Sequence, residues 1–218
     1  MFGFGHVLRC RQADIAKTVV AMHEGGVFGR THQRITRAGI DRRVGTDQVD
    51  ITAAAQRGVP VFNAPHASTR SVAELTIGCV IALARRLGDK SNKLHHGQWD
   101  KSLAGAHEVR GHSIGIVGYG HIGQQVGLLA EAFGMRVLFF DVQKKLPLGL
   151  AKPVPTLEQV LDECDFVTLH VPETQRTRSM VGAPQLARMK KGSYLLNLSR
   201  GSVVDVPALA AALRSGQL

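Results

Sequence analysis

Two short apolar runs, at 114–117 and 137–140, bracket a segment in which Ile122, Val126, Leu129, Ala130 and Phe133 recur at helical spacing. The pattern predicts a strand, a helix and a second strand. Further buried-looking runs at 165–170 and 193–198 predict two more strands. Before the first of these, Thr156-Leu157-Glu158-Gln159 forms a capping-box signature, opening a helix with Leu157, Val160 and Leu161 turned inward. Asp205 is placed to cap a last helix, with Pro207 in its first turn, Leu209 and Leu213 inward, and Gly216 as its stop. Strands alternating with helices predict a parallel, doubly wound α/β sheet in which 193–198 lies beside 165–170.

Upstream the pattern is different. Residues 1–43 are rich in His, Arg and Gly and hold no period of 2 or 3.6; only 19–22 is a fair apolar patch. Coherent patterning starts at Val44. A loop over 45–50 feeds a helix over 50–57 that Gly58 stops, and 59–63 reads as a short strand ended by Ala64-Pro65. Ser71-Val72-Ala73-Glu74 is a second capping-box signature, opening a helix over 72–87. Its apolar residues lie nearly all round, so it must be buried in a core or against a partner subunit. Gly88 is expected to end it, with a polar helical stretch running on to Gly97.

At 218 residues the chain is long enough for one or two domains with a real core. It has no 18-residue apolar run and no basic segment leading into an apolar one at its start, so neither a membrane span nor a secretory signal is read from it. Cys10, Cys79 and Cys164 are odd in number and widely spaced, which suits a reducing cytoplasm and no disulfide framework or metal site. Cys79 and Cys164 fall in apolar helical patterns, as small core residues do. The net charge of +10 raises nucleic acid as a partner. Its distribution speaks against one: residues 1–43 hold 8 Lys and Arg against 3 Asp and Glu, without a helix-turn-helix or heptad pattern. The remaining charge suits a small anionic substrate.

The candidate chemistry lies between the first two predicted strands. Gly118-x-Gly120-x-x-Gly123 follows a strand and opens a helix, and the next strand ends on Asp141. A chain cradles a dinucleotide in this way. Gly118 allows the sharp turn, Gly120 the close approach of a pyrophosphate, and Gly123 the packing of helix on sheet. Asp141 can accept from both ribose hydroxyls and would repel a 2′-phosphate, which favours NAD over NADP; Lys144 and Lys145 weaken that preference. Glycine-rich turns also occur in α/β proteins that bind nothing, but here strand, turn, helix, strand and acid coincide. In such a sheet ligands sit outside the carboxyl ends of the strands. His170-Val171-Pro172 and Asn197-Leu198-Ser199-Arg200-Gly201 project there too. The Arg200 guanidinium could fork onto a carboxylate ligand or pair with a neighbouring Asp. His121 could serve as a base, but its place in the turn favours a backbone donor.

Seven segments carry a resemblance: GTDQVD (45–50), VPVFNAP (59–65), TRSVAEL (69–75), GYGHIG with LAEAFGM (118–135), KLPLG (145–149), TLHVPET (168–174) and SRGSVVD (199–205). Over about 44–218 the chain resembles the D-2-hydroxyacid dehydrogenase family, and KLPLG resembles its phosphoglycerate-oxidising branch. The resemblance implies an NAD-binding Rossmann domain and part of a flavodoxin-like substrate domain. It implies an atypical segment over 1–43, read from another frame, a partial substrate domain with an interdomain helix over 44–100, and a partial NAD-binding domain over 101–218. It implies oxidation of 3-phosphoglycerate to 3-phosphohydroxypyruvate on the way to L-serine, in a cytoplasmic homo-oligomer. By the same resemblance Tyr119, Gly120, His121, Ile122 and Gly123 hold the pyrophosphate, and Asp141 the adenosine ribose. His170, Val171, Pro172 and Thr177 line the cofactor. Asn197, Leu198 and Ser199 approach the nicotinamide, and Arg200 holds the substrate carboxylate and polarises the reacting oxygen. The family's catalytic Glu and His are expected downstream of Leu218, Ser68 stands where an Asn is usual, and 1–43 matches little beyond Arg30-Thr31-His32. An inactive fragment is therefore expected. Two other readings are an NAD-sensing interaction protein of the same architecture and an inert gene remnant.

Overall fold

Five parallel strands form one sheet: β1 (Ser113–Val117), β2 (Arg136–Phe140), β3 (Lys152–Pro153), β4 (Phe166–Leu169) and β5 (Tyr194–Asn197), in the order β3-β2-β1-β4-β5. The computed structural model describes residues 50–58, 61 and 66–218. Most of the expected strand at 59–63, the loop before Asp50, Cys10 and the 1–43 segment lie outside the described residues. The chain steps outward from β1 to β3, then returns to the far side of β1 for β4 and β5. This is the doubly wound arrangement that the alternating pattern predicts, with 194–197 beside 166–169.

Every residue of β1, β4 and β5 is buried. A parallel sheet covered on both faces needs such runs, which is why these segments read as continuous apolar stretches. Alternate side chains divide between two cores. Ile114, Ile116, Phe166, Tyr194 and Leu196 face one, with Ile77 and Val80 from α2 (Thr69–Ala84) and Val126 and Ala130 from α4 (His121–Ala132). Val117, Val167, Leu169 and Leu195 face the other, with Val160 and Leu161 of α5 (Leu157–Glu163), Leu186 of α6 (Ala183–Arg188) and Leu209 of α7 (Val206–Arg214). Each fully buried aliphatic chain is worth about 1.5–3 kcal/mol. Cys79 and Cys164 are buried free thiols, and burial pushes the Cys164 thiol up to about 12.

The caps explain most helix starts. Asp50 accepts from the Ala53 N–H at 2.8 Å and opens α1 (Ile51–Gln56). Thr156 accepts from Gln159 at 3.2 Å, and Asp205 from Ala208 at 3.1 Å. Gln159 does not complete a capping box; its amide reaches forward to Glu163 Oε1 at 2.7 Å. The signature at Ser71 fails for another reason. Helix α2 begins at Thr69, so Ser71 is already inside it and its hydroxyl donates to the Ser68 carbonyl at 3.0 Å. Glu74 instead accepts from Arg70 Nε at 2.6 Å. Nor does Gly88 end α2. The break falls at Arg86, in left-handed conformation with φ 54°, held by Asp89 and the Ala104 carbonyl, and Gly88 lies within α3 (Leu87–His95). Phe133, expected inward on α4, is its C-cap and 46% exposed. Helix α6 and the two-residue β3 are too short to give a periodic signal.

At the amino edge of the sheet, Asp165 fastens three elements. It accepts from the Ser113 N–H, the Ser113 hydroxyl and Lys190 Nζ, each at 2.8 Å, and His112 Nδ1 lies at 3.4 Å. Burial works against its charge, but the Lys190 ammonium and both Ser113 donors outweigh it and hold the carboxyl well below the usual range.

Candidate functional site

Parallel register brings the carboxyl ends of four strands into one row. Phe140 stands beside Val117, Val117 beside Leu169, and Leu169 beside Asn197. Asp141, Gly118, His170 and Leu198 therefore leave the sheet side by side. At about 4.8 Å per strand, the row from Asp141 to Leu198 spans roughly 14 Å. The glycine turn leaves β1, between the outward and return windings.

Gly118 turns with φ +93°, and a Cβ there would stand 2.6 Å from the His170 carbonyl oxygen. A Cβ at Gly123 would run into the Gly118 carbonyl oxygen, so helix α4 comes this close to β1 only without one. At Gly120 a Cβ would meet no atom within 4 Å, and this space opens directly before α4. The His121 and Ile122 N–H groups have no intrahelical acceptor, and the helix dipole adds partial positive charge there. The Ile122 side chain packs partly on the core, so its contribution to a ligand is its backbone.

Tyr119 is placed differently from a ligand-facing side chain. Its ring is fully buried and stacks on Phe139, with centroids 3.6 Å apart. Its hydroxyl accepts from the Leu148 N–H at 3.4 Å, and burial raises its pKa. Glu131 accepts from the Leu150 N–H at 2.8 Å, so turn and helix together pin the KLPLG loop. The Tyr119 N–H donates to Asp141 Oδ2, and the Gln143 N–H to Asp141 Oδ1, each at 2.8 Å. A carboxylate has about four acceptor sites, so each oxygen keeps one for a ligand hydroxyl. Lys145 donates to Gln143 Oε1 at 2.8 Å.

On the other flank, His170 is partly buried, and desolvation pushes its imidazole pKa down to about 4. It is neutral at physiological pH, with Nε2 3.0 Å from the buried Thr168 hydroxyl. Val171 packs partly against the second core, and Pro172 is exposed. The Thr177 hydroxyl donates to the Pro172 carbonyl at 2.6 Å and accepts from the Thr174 N–H at 2.8 Å, closing the loop beside the row. Asn197 is 4% exposed and organises the last loop. Its Nδ2 donates to the Arg200 carbonyl at 2.8 Å, and its Oδ1 accepts from the Ser199 N–H at 3.1 Å and hydroxyl at 2.7 Å. Leu198 is partly buried, and Arg200 Nη1 donates to the Ser199 carbonyl at 3.3 Å.

The structure thus gathers the expected residues along one edge, and gives several of them roles that the sequence does not reveal. Tyr119 and Asn197 brace the edge from within, and Glu131 carries no sequence signal for its part in holding the KLPLG loop. The apolar strand before Tyr119 is the available signal for a core position. Asn197 at a strand end, two residues before Ser199, is the signal for a side chain closing its own turn.

A glycine turn at the reversal of strand order, a helix opening on empty space and a carboxylate at the end of the second strand define an α/β dinucleotide-binding domain. Residues 77–218 match the family described as D-isomer specific 2-hydroxyacid dehydrogenase, NAD binding domain. The chain belongs to that family. Among curated relatives, the D-3-phosphoglycerate dehydrogenases of Dictyostelium discoideum and Escherichia coli K12 are each 54% identical over 175 residues, 80% of this chain and 43% of theirs. A Schizosaccharomyces pombe relative, a putative D-3-phosphoglycerate dehydrogenase by name, is 45% identical over 215 residues, 94% of this chain, which reaches into residues 1–43. The chain spans under half the length of these relatives, 43–46%. Among solved structures, the NAD complex of a D-isomer specific 2-hydroxyacid dehydrogenase from Lactobacillus delbrueckii ssp. bulgaricus superposes with a TM-score of 0.72 and 31% identity, covering 81% of this chain and 54% of that one. Apo D-lactate dehydrogenase from Escherichia coli gives 0.74 and 30%, covering 81% and 56%.

Proposed function

We propose that this chain supplies the NAD-holding part of a D-3-phosphoglycerate dehydrogenase, which oxidises the C2 hydroxyl of a phosphorylated 2-hydroxy acid. One observation carries the reading: Asp141, the glycine turn, His170 and the 197–200 loop leave one sheet edge in register. The 54% identity to enzymes of that name supports the substrate class. The residues fit NAD. Gly120 leaves room beside the unpaired turn N–H groups of α4, and Asp141 keeps one acceptor site per oxygen. NAD, when bound, accepts the hydride that leaves C2.

The chain's own residues hold and orient. The His121 and Ile122 N–H groups take the pyrophosphate, and Asp141 takes the ribose hydroxyls and disfavours a 2′-phosphate. Neutral His170, with Val171, Pro172 and Thr177, forms a wall on the cofactor. Asn197 sets the loop whose Leu198 and Ser199 approach the nicotinamide side, and it positions Arg200 to hold the substrate carboxylate and polarise the reacting oxygen. The division at about residue 100, a homo-oligomeric assembly and a cytoplasmic setting belong to the same proposal. No helix among the described residues is long and apolar enough to cross a membrane.

Titration of the purified chain with NAD and NADP tests the cofactor, and tighter binding of NAD is expected. Equal affinity for the two would overturn the assignment. The substrate class is tested by placing residues 77–218 in the Escherichia coli enzyme in exchange for its matching segment. Retained oxidation of 3-phosphoglycerate supports it, and a switch to other 2-hydroxy acids overturns it.

A further inference from the structure

We infer that His66 is an additional contact for the cofactor pyrophosphate, reaching the glycine turn from outside the α/β sheet. The inference rests on the proposal that this edge binds NAD. Two imidazoles meet beside the glycine turn. The His66 and His121 rings stand edge to face, with centroids 4.5 Å apart and planes at 88°. Both residues are exposed. His121 is the first residue of α4, directly after Gly120, where the space in front of the turn is open.

A second contact fixes this approach. Arg70 Nη1 donates to Gln125 Oε1 at 3.4 Å. Arg70 follows His66 by about one helical turn, and Gln125 follows His121 by the same interval, so the two pairs are successive rungs between neighbouring segments. Arg70 is itself held by Glu74 at 2.6 Å, and α2 packs along α4 behind both rungs. The charged groups nearest the imidazole pair in these elements are therefore Arg70 and Glu74, already paired with each other.

Chemistry then decides what the pair can do. An imidazole offers at least one N–H donor in either neutral tautomer. An anion in front of Gly120 would meet the His121 and Ile122 backbone donors from the helix side. His66 would meet it from the opposite side, with His121 as the ring against which it is braced. The expected ligand group is a diphosphate linking two sugars, since a donor on each side suits its several acceptor oxygens. A packing role alone would be served equally by phenylalanine at this position, and that comparison separates the two roles.

The test uses the intact 218-residue chain. Dissociation constants are measured for NAD, ADP-ribose and adenosine with the unmodified protein, His66→Phe and His66→Gln. Phe keeps the ring and removes the donor; Gln keeps a donor. Loss of one exposed hydrogen bond to a charged group should weaken NAD and ADP-ribose about three- to tenfold in His66→Phe. Adenosine, which has no phosphate, should bind unchanged, and His66→Gln should recover most of the loss. Unchanged NAD affinity in His66→Phe, or equal weakening of adenosine, would overturn the inference while leaving the NAD reading intact. Failure of the unmodified chain to bind NAD at all would overturn both.

Discussion

Acid should loosen this fold in two separate steps, and His170 governs the first. The residue is partly buried just past the end of β4, and desolvation lowers its pKa to about 4 against an ordinary 6.5. Between those values the unfolded chain binds a proton that the folded chain refuses, so stability falls as pH falls. At about 1.36 kcal/mol per pKa unit, the full displacement corresponds to at most about 3 kcal/mol, an upper bound set by the residue's remaining exposure to solvent. His107 is shifted the same way, by burial and by the neighbouring His112, and adds to the same step. Asp165 acts at lower pH. Its carboxyl is held below the ordinary range, so its contribution persists down to the ordinary carboxylate pKa and is lost only below it. Urea unfolding at a series of pH values from about 7 to about 4.5 should show a fall of about 2–3 kcal/mol, and His170→Gln should flatten most of it. Parallel stability curves for the two proteins would show that the His170 imidazole does not cause the slope.

Asp141→Ala should narrow the preference for NAD over NADP by roughly tenfold, the worth of one or two lost hydrogen bonds and a removed repulsion, read as the ratio of dissociation constants. Gly123→Ala should cost about 1–3 kcal/mol of stability and most NAD affinity, because its methyl meets the Gly118 carbonyl and pushes α4 off β1; thermal melting and cofactor titration check both. Asn197→Leu keeps the volume but removes the bonds to Ser199 and Arg200; a loss of about 1–3 kcal/mol is expected, with faster proteolytic cleavage within 198–201.

Much of this architecture is legible in the sequence because its causes are local. The buried runs, the Gly118 to Gly123 turn and the caps at Thr156 and Asp205 are set by residues a few positions apart. Legibility fails where a distant partner decides. Helix α2 stops at Ala84, short of Gly88, because Asp89 and the Ala104 carbonyl hold Arg86 in a left-handed turn that no local propensity favours. Tyr119 lies between two glycines and so reads as part of the ligand cradle. Its ring points inward because Phe139, on the neighbouring strand, offers a flat apolar face. His66 lies 55 residues from His121, and no spacing rule connects them.

The position of β1 has a mechanical consequence. It is the middle strand of the five, with core on both faces and two strands on either side, whereas β5 and the two-residue β3 have one neighbour each among the described residues. Its amides should exchange with solvent only through near-global opening, while the flanks open more cheaply. The phosphate turn is thus mounted on the stiffest member of the sheet, and Asp141 and the 197–200 loop on softer ones. A ligand lying along the row would tie soft flanks to a stiff centre. Slowed amide exchange on binding should then appear in β2 and β5, with β1 hardly changed, so that the cofactor acts as a cross-brace of the half-site that holds it.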